Sequence, residues 1–195
     1  RDDRKRIMEM ADEKSLILDH DVCAQARSVL TNPRKRLEAE ISWLIGLSPT
    51  RVNDYLNRLS NDISSIKSDQ SISDISKCNL LAASLEMLNG NNNDSEITDW
   101  IVELSYTSEN INPEIIQTLL NEERQVSGFT QINSLDEIEN QILERRRYYK
   151  DTIKSYLNKL PTMQLVEIVT NVADVTTENG EKHAPLLVDE LIDSY

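Results

Sequence analysis

Val52, Leu56, Leu59, Ile63 and Ile66 follow one another at alternating steps of four and three residues, which puts all five on one face of a helix. The same period returns along most of the chain. Leu37, Ile41, Leu44 and Ile45 form one such stripe, and Leu81, Ala82, Leu85 and Leu88 form another. Ile138, Ile142, Tyr149, Ile153, Tyr156 and Leu157 make up a third. A chain patterned in this way buries its apolar residues by packing helix on helix. Four glycines in 195 residues leave little for hairpin turns or a phosphate-binding loop. With Phe129 the only phenylalanine, the core must be mostly Leu, Ile and Val. The expected fold class is all-α: a short helical N-terminal unit followed by a helical-bundle domain.

Capping residues suggest the boundaries. A first helix is expected over residues 2–18, interrupted by Asp19-His20-Asp21, with Asp21 capping a second helix over 22–30. Asn32 caps a third helix with Pro33 as its first residue, where the missing N–H costs nothing, and Gly46 and Pro49 end it. Residues 50–67 read as one helix, the Ser-rich stretch 64–76 as a candidate hinge, and 73–89 as another helix. Residues 90–94 read as an exposed loop, and Trp100, Ile101 and Leu104 mark a short helix. Asn112-Pro113-Glu114 starts the next, with Ile115, Ile116, Leu119 and Leu120 as its inner face. Ser134 and Glu137 form a capping box at the head of the longest helix, which Pro161 breaks. The stretch 168–175 is rich in β-branched residues but keeps a helical period, Asn179-Gly180 stops it, and Pro185 opens a last helix. The expected division is an N-terminal unit of residues 1–48 and an acidic helical domain of residues 50–195.

The net charge of -13 argues against nucleic acid as the partner, because neutralising phosphates supplies most of that affinity. The acid is uneven: Arg124 is the only basic residue between Glu86 and Glu144, whereas residues 1–36 are slightly positive. Cys23 and Cys78 sit among apolar residues and read as two buried free thiols. No apolar run is long enough to span a bilayer, so no membrane association is expected. With no signal peptide visible, the expected location is the cytoplasm. The chain opens on Arg1 rather than Met, so the natural protein is expected to extend upstream.

Catalytic chemistry finds no constellation. His20 and His183 are far apart, each in a loop-like setting, and neither has the companions a metal site needs. No catalytic residue, metal ligand or cofactor is expected. Arg145-Arg146-Arg147-Tyr148-Tyr149-Lys150 is the densest basic cluster. The apolar stripe through Ile142 and Tyr149 forces Arg145 or Arg146 onto it, so the expected role of these two is a structural ion pair with a carboxylate of the acidic middle section. A phosphate or partner site is the other reading of the cluster.

Ala26, Val29, Leu30, Thr31, Asn32, Pro33, Lys35 and Arg36 follow the pattern that ends the second long helix of a J-domain. That module is the small helical unit by which co-chaperones recruit heat-shock ATPase chaperones. Arg4, Lys5 and Arg6 stand where the family has its basic helix. The N-terminal unit therefore resembles a degenerate J-domain that lacks the family's first helix. Asp19-His20-Asp21 stands in place of the family's His-Pro-Asp, without the proline and closer to Ala26, and Arg27 stands where an aromatic is usual.

The resemblance implies a non-enzymatic protein-binding adaptor that docks on a heat-shock ATPase chaperone or another protein partner. Its positive face would be Arg4, Lys5, Arg6, Arg34, Lys35 and Arg36, complementary to an acidic surface; the plainer reading of the same six is a solvated helix face. The alternative function is a structural or oligomeric helical subunit of a larger complex. An enzyme or sensor with a pocket between helices would need convergent polar groups that the sequence does not signal.

Overall fold

A computed structural model describes residues 3–88 and 93–195. These form eleven helices and no strand. They are α1 (Arg4–Lys14), α2 (His20–Thr31), α3 (Pro33–Ile41), α4 (Pro49–Asn61), α5 (Ser64–Lys67) and α6 (Asp74–Met87). There follow α7 (Asp94–Glu109), α8 (Pro113–Ser127), α9 (Leu135–Leu157), α10 (Thr162–Thr177) and α11 (Leu186–Ile192). The all-α expectation holds, including over residues 168–175, which lie within α10. The expected loop at residues 90–94 lies largely outside the described residues.

Several helix starts follow from single side chains. Asn32 Oδ1 accepts from the backbone N–H groups of Arg34 and Lys35, with Pro33 as the first helical residue. Asn112 does the same for Glu114 and Ile115 at the head of α8. Before α2 the cap is Asp19 rather than Asp21: its carboxylate takes the N–H groups of Asp21 and Val22, so His20 is the first helical residue. Gly128 ends α8 at φ 70°, in the left-handed region where a Cβ would be strained.

The chain divides into two compact units that do not follow a single cut near residue 48. One comprises Arg1–Gly46 and Asn112–Ile142; the other comprises Leu47–Ile111 and Leu143–Tyr195. The last of the three boundaries, between Ile142 and Leu143, falls inside α9.

In the first unit α1 packs on α2 and α2 on α3. Leu37, Ile41, Leu44 and Ile45 are all buried, although α3 ends at Ile41 and the last two extend from an irregular segment. Ile116 and Leu120 of α8 are buried, whereas Ile115 faces out. Gln117 and Asn121 donate side-chain N–H groups to the Ile132 carbonyl, and Asn121 Oδ1 accepts from Ile132 N–H. These bonds tie the segment after α8 to that helix.

In the second unit α7 is the centre and packs against α6, α10 and α11. From Ile75 to Ala82 every residue of α6 is buried, so it is enclosed on all sides rather than one-faced. Ser84, Ser105 and Thr176 are buried on α6, α7 and α10, and each hydroxyl donates to the carbonyl one turn back. Small residues that satisfy their own hydroxyls allow close helix approach without stranding a polar group. The expected single helix over 50–67 is broken at Asp62 into α4 and α5. On α4 the buried pair is Tyr55 and Leu59, while Leu56 is exposed.

Candidate functional site

The six basic residues of the expected positive face have different environments. In α1, Arg4, Lys5 and Arg6 are exposed, but Lys5 lies 3.7 Å from Glu9, and Arg6 lies 3.6 and 3.4 Å from Glu9 and Glu13. Exposed pairs of this kind are weak, yet they leave little net positive charge on the helix. In α3, Arg34 and Lys35 are exposed and have no ion-pair partner among the described residues.

Arg36 is a correction to the expected docking set. Its Nε donates to Glu40 at 2.6 Å and its Nη1 to the Leu30 carbonyl at 3.1 Å. Its guanidinium lies 3.5 Å from the centroid of the Phe129 ring, a cation–π contact. A side chain held on three sides is an internal brace and cannot serve as a free docking charge. Glu40 also receives Arg124, whose Nη2 and Nε reach the other carboxylate oxygen.

Beside this brace, Trp43 is 52% exposed at the mouth of a depression of about 340 Å³ lined also by Leu30, Ala39, Leu44 and Ile45. Glu40 and Glu123 also line it. Gly46 bends the chain here at φ 78°, and its N–H donates to Glu123 at 2.9 Å. Tryptophan and arginine are the side chains most often found at the energetic centre of protein interfaces. Half-exposed Trp43 and unpaired Arg34 bracket the same short helix, α3. The sequence did not single out Trp43, which lies off the Leu37, Ile41, Leu44 and Ile45 stripe and belongs to no motif.

The expected ion pair at Arg145 and Arg146 is corrected by their partners. Arg145 donates Nε and Nη2 to Asn79 Oδ1 at 3.1 and 2.8 Å, and stacks on Tyr148 and Tyr149. The buried Tyr149 hydroxyl donates to the same oxygen at 2.8 Å. Arg146 reaches the Ser108 carbonyl at 3.0 Å, and its buried Nε has no hydrogen-bond partner among the described residues. Both arginines thus bind neutral oxygens. The amide of Asn79, inside enclosed α6, gave no sequence signal because it occupies the polar side of an assumed one-faced helix.

The other titratable groups here are structural in character. Burial pushes the Cys78 thiol and the Tyr149 phenol well above their usual ranges, so both stay protonated at neutral pH. Lys77 is buried and pairs with Glu103 at 2.6 Å. Cys23 and Cys78 are both free. Among the described residues no group of three His, Cys, Asp or Glu is placed to hold a metal ion, and His20 and His183 are exposed. No helix among them is long and apolar enough to cross a membrane.

Compared with protein families, with curated proteins and with solved structures, the chain gives no match.

Proposed function

We propose that this chain is a non-enzymatic protein-binding adaptor that docks through α3 and the Trp43 depression of its N-terminal unit. The observation that carries the reading is a half-exposed tryptophan that lines an apolar hollow two residues after α3, together with two uncompensated cations in the first turn of that helix. The apolar hollow supplies affinity and Arg34 and Lys35 supply orientation toward an acidic partner. A heat-shock ATPase chaperone is the partner class named by the J-domain resemblance over Ala26–Arg36, and that part of the reading rests on the resemblance alone.

The test is binding of purified heat-shock ATPase chaperone to the 195-residue chain, to Trp43→Ala and to the double charge reversal Arg34→Glu, Lys35→Glu. Loss of binding in both variants, with unchanged circular dichroism, supports the docking site. Undiminished binding by both refutes the site, and no binding by the parent chain refutes the chaperone as partner.

A second reading is a helical subunit of a larger complex. Met163, 82% exposed, and Val166 present apolar side chains one turn apart on α10. That reading predicts purification from the native source in a fixed stoichiometry with other subunits.

A further inference from the structure

The turn between α1 and α2 carries Leu16, Ile17 and Leu18, and Val22 follows in the first turn of α2. Their exposures are 84, 76, 56 and 60%, a contiguous apolar surface of the kind that marks an interaction site. The turn is tightly built. Ile17 and Leu18 donate their backbone N–H groups to the Lys14 carbonyl at 3.0 and 2.8 Å, and Leu16 donates to Glu13 at 3.3 Å. The backbone therefore holds these side chains outward as a fixed knob.

Beside the knob lies an apolar depression of about 290 Å³ between α1 and α2, floored by Ile7 and Cys23 and walled by Leu18 and Val22. A dry apolar cavity of about 150 Å³ already accepts a benzene ring, so this one has room for aliphatic side chains. Leu18 and Val22 belong to both knob and hollow. A patch that presents its own complement is the requirement for an isologous two-fold contact, in which each copy gives and receives the same residues.

The charges match in the same sense. The only charged residues lining the hollow are Lys14 and Arg27. The knob is collared by exposed Asp19 and Asp21, with Asp12 and Glu13 one turn back. Asp12 is 3.4 Å from Arg27, Glu13 is 3.4 Å from Arg6, and Asp19 is occupied as a cap. Lys14 and Asp21 have no ion-pair partner among the described residues. We propose that the α1–α2 turn pairs two copies of this chain about a two-fold axis, with Leu16 and Ile17 of each copy seated in the hollow of the other and Lys14 facing Asp21 across the contact. The residues used are distinct from Arg34, Lys35 and Trp43, so two docking sites for a partner are brought together in one dimer.

Sedimentation of the 195-residue chain over a wide concentration range tests this directly. The parent chain should show a reversible monomer–dimer equilibrium. Ile17→Asp, a change at an exposed position, should abolish it with circular dichroism unchanged. Lys14→Glu and Asp21→Lys should each weaken dimerisation about tenfold, because each change breaks the contact twice about the axis. The combined charge swap should restore it. A parent chain that stays monomeric throughout overturns the proposal, as does a dimer that survives Ile17→Asp. A charge swap that fails to restore dimerisation overturns the Lys14–Asp21 contact. Protection of the turn from solvent exchange only on addition of a different protein would assign the patch to that protein instead.

Discussion

Arg124 and Glu40, 84 residues apart in sequence, meet through two donors on one oxygen: Nη2 at 2.7 Å and Nε at 3.0 Å from Oε2. Arg36 holds the other oxygen at 2.6 Å, and Arg124 also donates to the Thr130 carbonyl at 3.0 Å. Both members of the pair are almost fully enclosed. The contact joins α3 to α8 within the first compact unit. Removing one partner of a buried pair leaves the other charged and desolvated, which typically costs about 3–5 kcal/mol. Arg124→Ala should fall near the lower end, since Arg36 still serves Glu40. Urea denaturation measures the loss, and a change below 1 kcal/mol (about one tenth of a typical domain stability) would show that the pair contributes little.

Arg36 and its neighbours on α3 should separate cleanly. Reversing Arg34 and Lys35 touches only solvated groups and should change stability by no more than about 0.5 kcal/mol. Arg36→Glu sets a like charge beside Glu40 and removes the ring contact with Phe129, and should cost at least about 2 kcal/mol. Thermal melts of the two variants side by side provide the check; equal melting temperatures would contradict the internal brace.

Asn79→Ala should be among the most damaging single changes in the second unit. It removes the acceptor shared by Arg145 and the buried Tyr149 hydroxyl. An unsatisfied buried donor costs about 1–3 kcal/mol, more when charged. Tyr149→Phe in the Asn79→Ala background should recover part of the loss, because the stranded hydroxyl is then gone. A double-mutant cycle showing simple additivity would disprove the shared-acceptor account.

Asp69 sets an acid limit on the α4–α6 region. The Ser71 hydroxyl and backbone N–H both donate to its carboxylate, Tyr55 donates its hydroxyl, and Arg58 lies at 2.9 Å. Led by the Ser71 hydroxyl, these partners hold the carboxyl well below its ordinary 3.8. A group depressed in the folded state stabilises fully above its unfolded pKa and loses that contribution as pH falls toward its folded value. The stability difference between the parent chain and Asp69→Asn should therefore be constant near neutrality and shrink progressively below about pH 4. A difference that grows on acidification would refute the assignment.

The Ser-rich stretch 64–76 illustrates what local sequence conceals. Read along the chain it is polar, flexible in composition and a natural hinge. In the structure Asp69 gathers Tyr55, Ser71 and Arg58, and Arg51 donates to Ser71 at 2.8 Å. Tyr55, Arg58 and Arg51 come from α4, whose apolar period places Leu56 rather than Tyr55 on the inner face. A strict count of apolar side chains puts a tyrosine outside, yet its ring buries well once the hydroxyl has a carboxylate to bind.

What the sequence by itself determined is local. Helix starts at Asn32-Pro33 and Asn112-Pro113 depend on one side chain bonding to backbone N–H groups two and three residues on, so they are legible wherever they occur. The all-α class follows from a period repeated along the chain. What only the tertiary structure decided is non-local: which of six basic residues stays in solvent, which tryptophan is left at the surface, and which neutral oxygens receive Arg145 and Arg146. Each depends on groups brought from tens of residues away. Phe129, brought 93 residues along the chain, covers the Arg36 guanidinium; Asn79 supplants the carboxylate expected for Arg145. A side chain's charge is written in the sequence, whereas its solvation is set by whatever the fold places beside it.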